Sequence, residues 1–126
     1  MPEFAEAEIH RRNLNHWTAG RNLSGLDVLD PEHIHGDFLG LAGRRVLRWR
    51  RRAKYLICCF EGDTSVLIHL GMSGNLSRVE SEVPRFARFV FHFGAAAEEV
   101  AVAFVDRRRL GRLWVLRDVE LVEHPR

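Results

Sequence analysis

The alternation of apolar and polar positions predicts a chain built mainly from short β-strands. The continuous apolar run from Tyr55 to Phe60 is typical of a buried strand, and Glu61-Gly62-Asp63 predicts a turn into a return strand from Ser65 to Leu70. Further strands are predicted at Val46–Trp49, Phe89–Phe93, Val100–Val105 and Leu113–Leu116. Short strands at a spacing of roughly ten residues indicate an antiparallel β-sandwich.

A helix is predicted ahead of these strands, from about Ala5 to Trp17. The segment contains good helix formers, no internal glycine or proline, and acidic residues in its first turn, where the helix dipole favours them. Ala5 and Ile9 are expected to start a buried stripe that Leu14 and Trp17 extend.

A second, short helix is predicted after Asp30-Pro31-Glu32, with Asp30 as the N-cap and Pro31 in the first helical position. It is expected to stop near Gly36 or Gly40. The predicted fold is therefore mainly β with flanking helices: an antiparallel β-sandwich with an N-terminal α-helix and a second short helix.

The distribution of charge along the chain says more about function than its length does. The 126 residues suit one domain, and the formal net charge is only +2, but 18 of the 19 basic residues are arginine and they cluster. Seven of the eleven positions from 44 to 54 are basic, and a second cluster comprises Arg107, Arg108, Arg109 and Arg112. This distribution favours one electropositive face and a polyanionic partner. An arginine-rich genome and a solvated face would be the alternative explanation.

The two cysteines, Cys58 and Cys59, are adjacent and lack zinc-site spacing. Neighbouring residues in a strand point to opposite faces, so we expect two reduced core thiols and no bridge between them. Apolar runs stay well short of a membrane span, and the acidic N-terminus has no signal-peptide pattern. The expected location is the cytoplasm.

The start of the chain carries candidate chemistry. Once Met1 is removed, Pro2 becomes a terminal secondary amine that can attack a carbonyl-like carbon and form an iminium. Glu3 would place a carboxylate within one residue to move protons. The alternative is that Pro2 simply starts a helix. Lys54 is the only lysine in an arginine-rich chain, which indicates that its position requires a compact ammonium group.

Three further segments combine with these residues. They are RRAKYL at 51–56, IHLGMSG at 68–74 and DRRRLG at 106–111. Together with Pro2, Glu3 and Glu6, they make the chain resemble the N-terminal domain of bacterial formamidopyrimidine-DNA glycosylase, of the Fpg/Nei family of base-excision repair enzymes. The resemblance runs from residue 2 to about residue 120.

The resemblance implies a catalytic group of Pro2, Glu3 and Lys54. In the family the terminal proline attacks C1′ of a damaged nucleotide, releases the base, and cuts the strand by β,δ-elimination through a Schiff base. Glu3 would be the general acid/base that protonates the leaving sugar ring. Lys54 would lie on a strand turn near the lesion and a phosphate, and Glu6 would help to fix the N-terminal segment.

The resemblance also implies a set of DNA-binding residues: His69, Met72, Arg108, Arg109 and Leu110. Met72 and Arg108 would fill the hole left by a flipped base, because a flexible apolar chain and a stacking arginine both suit such a gap. His69 and Arg109 would contact the DNA backbone. Leu110, where the family usually has phenylalanine, would act as a wedge, and Arg107 replaces a usual proline.

The implied partner is double-stranded DNA with oxidised purines (8-oxoguanine, formamidopyrimidine) or abasic sites, bound by a monomer. No cofactor is expected in this chain. The family's structural zinc belongs to a C-terminal domain with a helix–two-turn–helix element, which is absent from this sequence. We expect residues 1–120 to form the catalytic domain and residues 121–126 to begin a connector, and we expect the chain alone to have weak or no activity.

Each of these residues also has a structural alternative. Met72 could fill the core, His69 could be a hydrogen-bonded core histidine, and Arg107 to Arg109 could form a solvated turn. Two other functions stay open on sequence grounds. One is a non-catalytic DNA-binding β-sandwich, and the other is a structural domain that binds nothing.

Overall fold

A computed structural model describes residues 2–72, 74–95 and 98–118, except for the side chains of residues 2–4, 33, 39 and 95. One helix and nine strands make up the described chain. In order they are α1 (Pro2–Thr18), β1 (Asn22–Val28), β2 (Ile34–His35), β3 (Val46–Arg52), β4 (Tyr55–Phe60), β5 (Thr64–His69), β6 (Asn75–Arg78), β7 (Ala87–Ala95), β8 (Glu98–Val105) and β9 (Arg112–Arg117). Single 3-10 turns occur at Pro31–His33 and Leu39–Leu41.

The strands form two stacked sheets, which confirms the predicted β-sandwich. One sheet has the order β1-β7-β8-β6 and is antiparallel, and the other has the order β2-β9-β5-β4-β3 and is antiparallel except for the short β2–β9 pair. The alternating aromatic residues of β7 point into the space between the sheets, where Phe89 stacks on Phe104 with ring centroids 5.6 Å apart. The heavy aromatic face predicted from the period of two is thus the centre of the core.

Helix α1 packs on the edge strand β3 through a narrow stripe. Ala7, Leu14 and Thr18 are fully buried, and the small Ala7 side chain permits close approach to the sheet. The expected stripe through Ala5 and Ile9 is wrong, because both residues are exposed. Their apolar spacing fits the helical period, but the helix touches the sheet along one line only, and that line passes through neither residue.

The second helix is also shorter than predicted. Pro31–His33 is one 3-10 turn, and the Asp30 side chain makes no capping hydrogen bond. The chain passes directly into β2 at Ile34 instead of continuing to a glycine. Three strands were not predicted: β1, β2 and β6.

Cys58 and Cys59 are both buried free thiols on opposite faces of β4, as predicted. Cys58 belongs to the core between the sheets, and Cys59 belongs to a smaller cluster on the outer face with Ile57 and Leu67. Burial raises the pKa of the Cys58 thiol well above its ordinary value, which keeps it protonated and unreactive.

Candidate nucleic-acid site

A cleft at one end of the sandwich brings together three parts of the chain that the sequence separates widely. Glu6 from the first turns of α1, Lys54 from the β3–β4 turn and Met72 from the loop after β5 line it, with Leu70, Gly71 and Gly74 forming the remaining wall. Helix α1 begins at Pro2, one helical turn before Glu6. The cleft therefore lies beside the start of the chain.

Lys54 occupies the two-residue turn between β3 and β4. The register pairs Arg52 with Tyr55, so Ala53 and Lys54 alone reverse the chain. Ala53 adopts a positive φ of 52°, as tight hairpins require at their turn positions. This placement confirms the prediction that Lys54 lies on a strand turn. The turn projects a half-buried lysine at the mouth of the cleft.

His69 ends β5 next to this lysine, with its tautomer determined by the backbone. The Gly71 N–H donates a 3.1 Å hydrogen bond to Nδ1, so the ring proton of neutral His69 resides on Nε2. Partial burial, together with the positive charges of Lys54 and Arg112, lowers the pKa of His69. His69 is therefore a neutral imidazole whose Nε2–H can donate a hydrogen bond. Its ring packs against Tyr55, with the two ring centroids 4.7 Å apart.

Two glycines let the loops that follow β5 and β8 pack backbone to backbone. Gly71 has φ +66°, and a Cβ there would stand 2.9 Å from both the Gly111 nitrogen and the Leu110 carbonyl carbon. A Cβ on Gly111 would be 2.5 Å from the Phe104 ring and 2.8 Å from the His69 carbonyl oxygen. Because neither glycine carries a side chain, the two loops stay in backbone contact. The apolar residues next to the glycines, Met72 and Leu110, therefore project from adjacent loops. Met72 is 72% exposed and Leu110 is 45% exposed, which excludes a core-filling role for Met72.

Asp106 organises the loop that carries Arg108 and Leu110, and sequence reasoning missed it. It is 1% exposed, its Oδ2 accepts a 2.7 Å hydrogen bond from the Gly111 N–H, and its backbone carbonyl accepts one of 2.9 Å from Arg88 Nε. A buried aspartate that accepts backbone hydrogen bonds closes the loop across five residues. The signal for this role is an acidic residue directly before three consecutive arginines.

Arg109 in the same loop is held by acidic residues. Its Nε and Nη2 donate to the two carboxylate oxygens of Asp30 at 2.7 and 3.0 Å, and Nη2 also donates to Glu32 at 2.9 Å. These hydrogen bonds raise the pKa of Arg109. Asp30, predicted to be a helix cap, is instead the nearly buried anchor of this guanidinium. Arg108 is exposed at the loop tip.

The first basic cluster divides between structural and outward-facing roles. Arg45 pairs with Glu61 at 3.3 Å, and Arg51 pairs with Glu8 of α1 at 3.2 Å. Hydrogen bonds from Arg11 and two further arginines lower the pKa of Glu8 from 4.5 to about 2. Arg48, Arg50 and Arg52 instead line a groove on the outer face of the five-stranded sheet.

Several predicted residues lie outside what the structure describes. The side chains of Pro2 and Glu3 do, as do Met1, Ser73 and residues 119–126, which include the expected connector. Among the residues described, no helix is long and apolar enough to cross a membrane. No group of three metal-ligating side chains occurs in that same part of the chain.

Comparison with known proteins gives the class that this architecture defines. The family model for the formamidopyrimidine-DNA glycosylase N-terminal domain matches residues 1–113. Formamidopyrimidine-DNA glycosylases from Aromatoleum aromaticum and Hahella chejuensis are 40% and 36% identical over 90% and 99% of this chain, covering 43% and 46% of their own lengths.

A solved structure agrees with the family match. MutM (Fpg) from Thermus thermophilus superimposes with a TM-score of 0.82 at 31% identity, over 98% of this chain and 44% of its own. Lactococcus lactis Fpg bound to DNA containing an abasic site shares the fold, with a TM-score of 0.81 at 23% identity over 93% of this chain and 45% of its own. The chain belongs to the formamidopyrimidine-DNA glycosylase family, as its N-terminal domain, and spans a little under half the length of these relatives.

Proposed function

We propose that the chain supplies the catalytic half of a DNA glycosylase and AP lyase that removes oxidised purines, such as 8-oxoguanine and formamidopyrimidine, from double-stranded DNA. The supporting observation is the cleft that joins the first turns of α1 to Lys54 and Met72. Helix α1 starts at Pro2, so the terminal amine begins near the same cleft. The proposal includes a monomer in the cytoplasm, beside the bacterial nucleoid.

In the proposed reaction the Pro2 nitrogen uses its lone pair to form a bond to C1′, and the base leaves with the electrons of the glycosidic bond and takes up the proton that the Pro2 nitrogen gives up. Glu3 donates a proton to the sugar ring oxygen, the C1′–O bond opens, and an iminium forms between Pro2 and C1′. Loss of a proton from C2′ then expels the 3′ phosphate, and a second elimination expels the 5′ phosphate. Water finally hydrolyses the iminium and frees the amine.

The other residues of the site would hold the DNA. His69 Nε2–H and the Lys54 ammonium are donors suited to phosphate oxygens beside the lesion. Met72, Leu110 and Arg108 project from two loops that pack together, which suits side chains that replace an extruded base in the stack. Glu6 lines the cleft and would keep the N-terminal turn in position. Arg109 would reach the DNA backbone only in competition with Asp30 and Glu32.

Borohydride trapping on DNA with an abasic site tests the chemistry, and the composition makes the test sharp. Without Met1, the chain has two primary or secondary amines, Pro2 and Lys54. We expect a covalent adduct that maps to the N-terminal peptide, persists in Lys54→Arg at reduced yield, and disappears after acetylation of the terminus or in Glu3→Gln. An adduct on Lys54 would contradict the assignment of the nucleophile.

Binding measured alongside trapping separates this proposal from its rival. DNA binding by the processed chain without any adduct would indicate a non-catalytic DNA-binding domain. The 126-residue chain alone is expected to bind lesion duplex weakly, so trapping is best done at low salt and high protein concentration. Nanomolar affinity of this chain for lesion DNA would contradict that expectation.

A further inference from the structure

Phe86 adopts a backbone conformation that aromatic residues rarely accept. Its φ is +66°, in the left-handed region, where a bulky side chain is a genuine outlier. Its neighbours hold it there: the Phe86 carbonyl accepts a 3.1 Å hydrogen bond from the Asp106 N–H, and the Ala87 N–H donates to the Pro84 carbonyl at 3.3 Å. Backbone strain that the surroundings maintain is a reason to ask what the side chain does.

The half-buried Phe86 ring lies against two exposed arginines. The guanidinium carbon of Arg85 lies 4.7 Å from the ring centroid, and that of Arg107 lies 5.8 Å from it. Among the described residues, neither arginine forms an ion pair with a carboxylate. The ring attracts both cations, yet the two positive charges repel each other unless an anion lies between them.

This arrangement adjoins the loop that carries Arg108 and Leu110. Arg107 is the first residue of that loop after Asp106, and the Arg88 guanidinium ties the two segments by donating to the backbone carbonyls of Asp106 (2.9 Å) and Arg107 (3.5 Å). Arg107 stands where the resemblance leads one to expect proline.

We propose that Arg85, Phe86 and Arg107 form an aromatic clamp that binds a backbone phosphate of the DNA next to the base-replacing loop. Both guanidiniums pack against the ring, which orients them, and a phosphodiester accepts hydrogen bonds from both. Phe86 acts as a positioning residue, whereas the two arginines touch the ligand. The inference rests on the proposed function, because it assumes that duplex DNA lies against this loop.

The salt dependence of binding tests the clamp directly. Fluorescence anisotropy of the 126-residue chain with a labelled duplex carrying a tetrahydrofuran abasic analogue gives the slope of log affinity against log salt. Each lost phosphate contact removes about 0.9 from that slope. Because both arginines share one phosphate, we expect the Arg85→Gln/Arg107→Gln double variant to lower the magnitude of the slope by about 0.9, and each single variant to lower it by part of that amount.

Two more variants separate the clamp from general effects of charge and folding. Arg78→Gln removes an exposed arginine at the far end of β6 and is expected to leave the slope within about 0.3 of wild type. Phe86→Gly removes the ring while suiting the positive φ, so the backbone conformation is kept and part of the slope should still be lost. Unchanged slopes in Phe86→Gly and in the double arginine variant would overturn the clamp.

Borohydride trapping distinguishes failure of the clamp from failure of the proposed function. A normal N-terminal adduct together with unchanged slopes refutes the clamp alone. Reduced slopes without any adduct support the clamp and refute the glycosylase chemistry. Unchanged slopes in the variants together with no adduct from the wild-type chain would overturn both.

Discussion

Replacing Thr18 by valine tests how α1 is attached to the sheet, and so what keeps the start of the chain at the cleft. Thr18 is fully buried near the end of α1. Its Oγ1 donates to the Leu14 carbonyl at 2.8 Å and accepts a 2.8 Å hydrogen bond from the Trp49 indole N–H. Trp49 lies on β3, the strand that leads to the Lys54 turn. Valine keeps the shape and removes the only oxygen of the side chain.

The expected loss of stability follows from the Trp49 indole N–H, which is left without an acceptor. Trp49 is 3% exposed, so its N–H cannot turn to bulk water when the acceptor is lost. A buried donor without a partner costs about 1–3 kcal/mol. We expect Thr18→Val to lower the free energy of unfolding by about 2 kcal/mol, which for a domain of this size lowers Tm by about 8 °C.

A double-mutant cycle isolates the hydrogen bond from the change in packing. Thermal unfolding followed by circular dichroism is measured for wild type, Thr18→Val, Trp49→Phe and the double variant. Because phenylalanine has no N–H to satisfy, Thr18→Val should cost at least about 1 kcal/mol less in the Trp49→Phe background. Equal costs in the two backgrounds would refute this reasoning.

Two further predictions concern pH and backbone geometry. Partial burial lowers the pKa of His92, but hydrogen bonds with the carboxylates of Asp27 (2.8 Å) and Glu99 (3.2 Å) raise it above 6.5 overall. The stabilisation that protonated His92 gives the fold is therefore complete below about pH 6.5 and is lost as pH rises through the folded-state pKa. The Tm advantage of wild type over His92→Gln should then be larger near pH 5.5 than near pH 8.5. An equal advantage at the two pH values would contradict this prediction. Gly71→Ala must fit a Cβ at φ +66° only 2.9 Å from backbone atoms of the neighbouring loop. We expect it to lower the free energy of unfolding by about 2 kcal/mol and to weaken DNA binding. Gly40→Ala is the control: its Cβ would meet open space, so the free energy of unfolding should change by less than about 0.5 kcal/mol. Equal unfolding energies for the two alanine variants would count against the loop-packing argument.

The strands of the core could be predicted because the residues that they bury form a recognisable apolar pattern within each segment. The predicted bounds of β4 agree with the structure, and the alternating phenylalanines of β7 identify the face that the sandwich buries. Segments with one well-covered face carry this pattern in their own residues. The turn that holds Lys54 follows from the strands on either side of it.

The strands that were missed lack that pattern. β1 reads NLSGLDV, with a glycine and only one buried residue, Leu23, and it lies at the edge of its sheet. β6 has four residues, and β2 has two. Their strand character comes from a partner distant in sequence: β1 pairs with β7, and β2 with β9. Propensity within the segment contains little of that information.

Asp30 shows why side-chain partners in the site were the hardest feature to foresee. Asp-Pro-Glu is a strong local signal for a helix start, and a cap hydrogen bond would satisfy the carboxylate within two or three residues. The structure offers Asp30 a bidentate guanidinium from 79 residues away, and a charge-assisted pair of hydrogen bonds at 2.7 and 3.0 Å is stronger than a single bond to a neutral amide. The carboxylate therefore leaves its own helix turn uncapped and secures Arg109, which has φ +59°, in the loop after β8. The conformation of the loop after β8 thus depends on a residue that the local pattern assigns to another task.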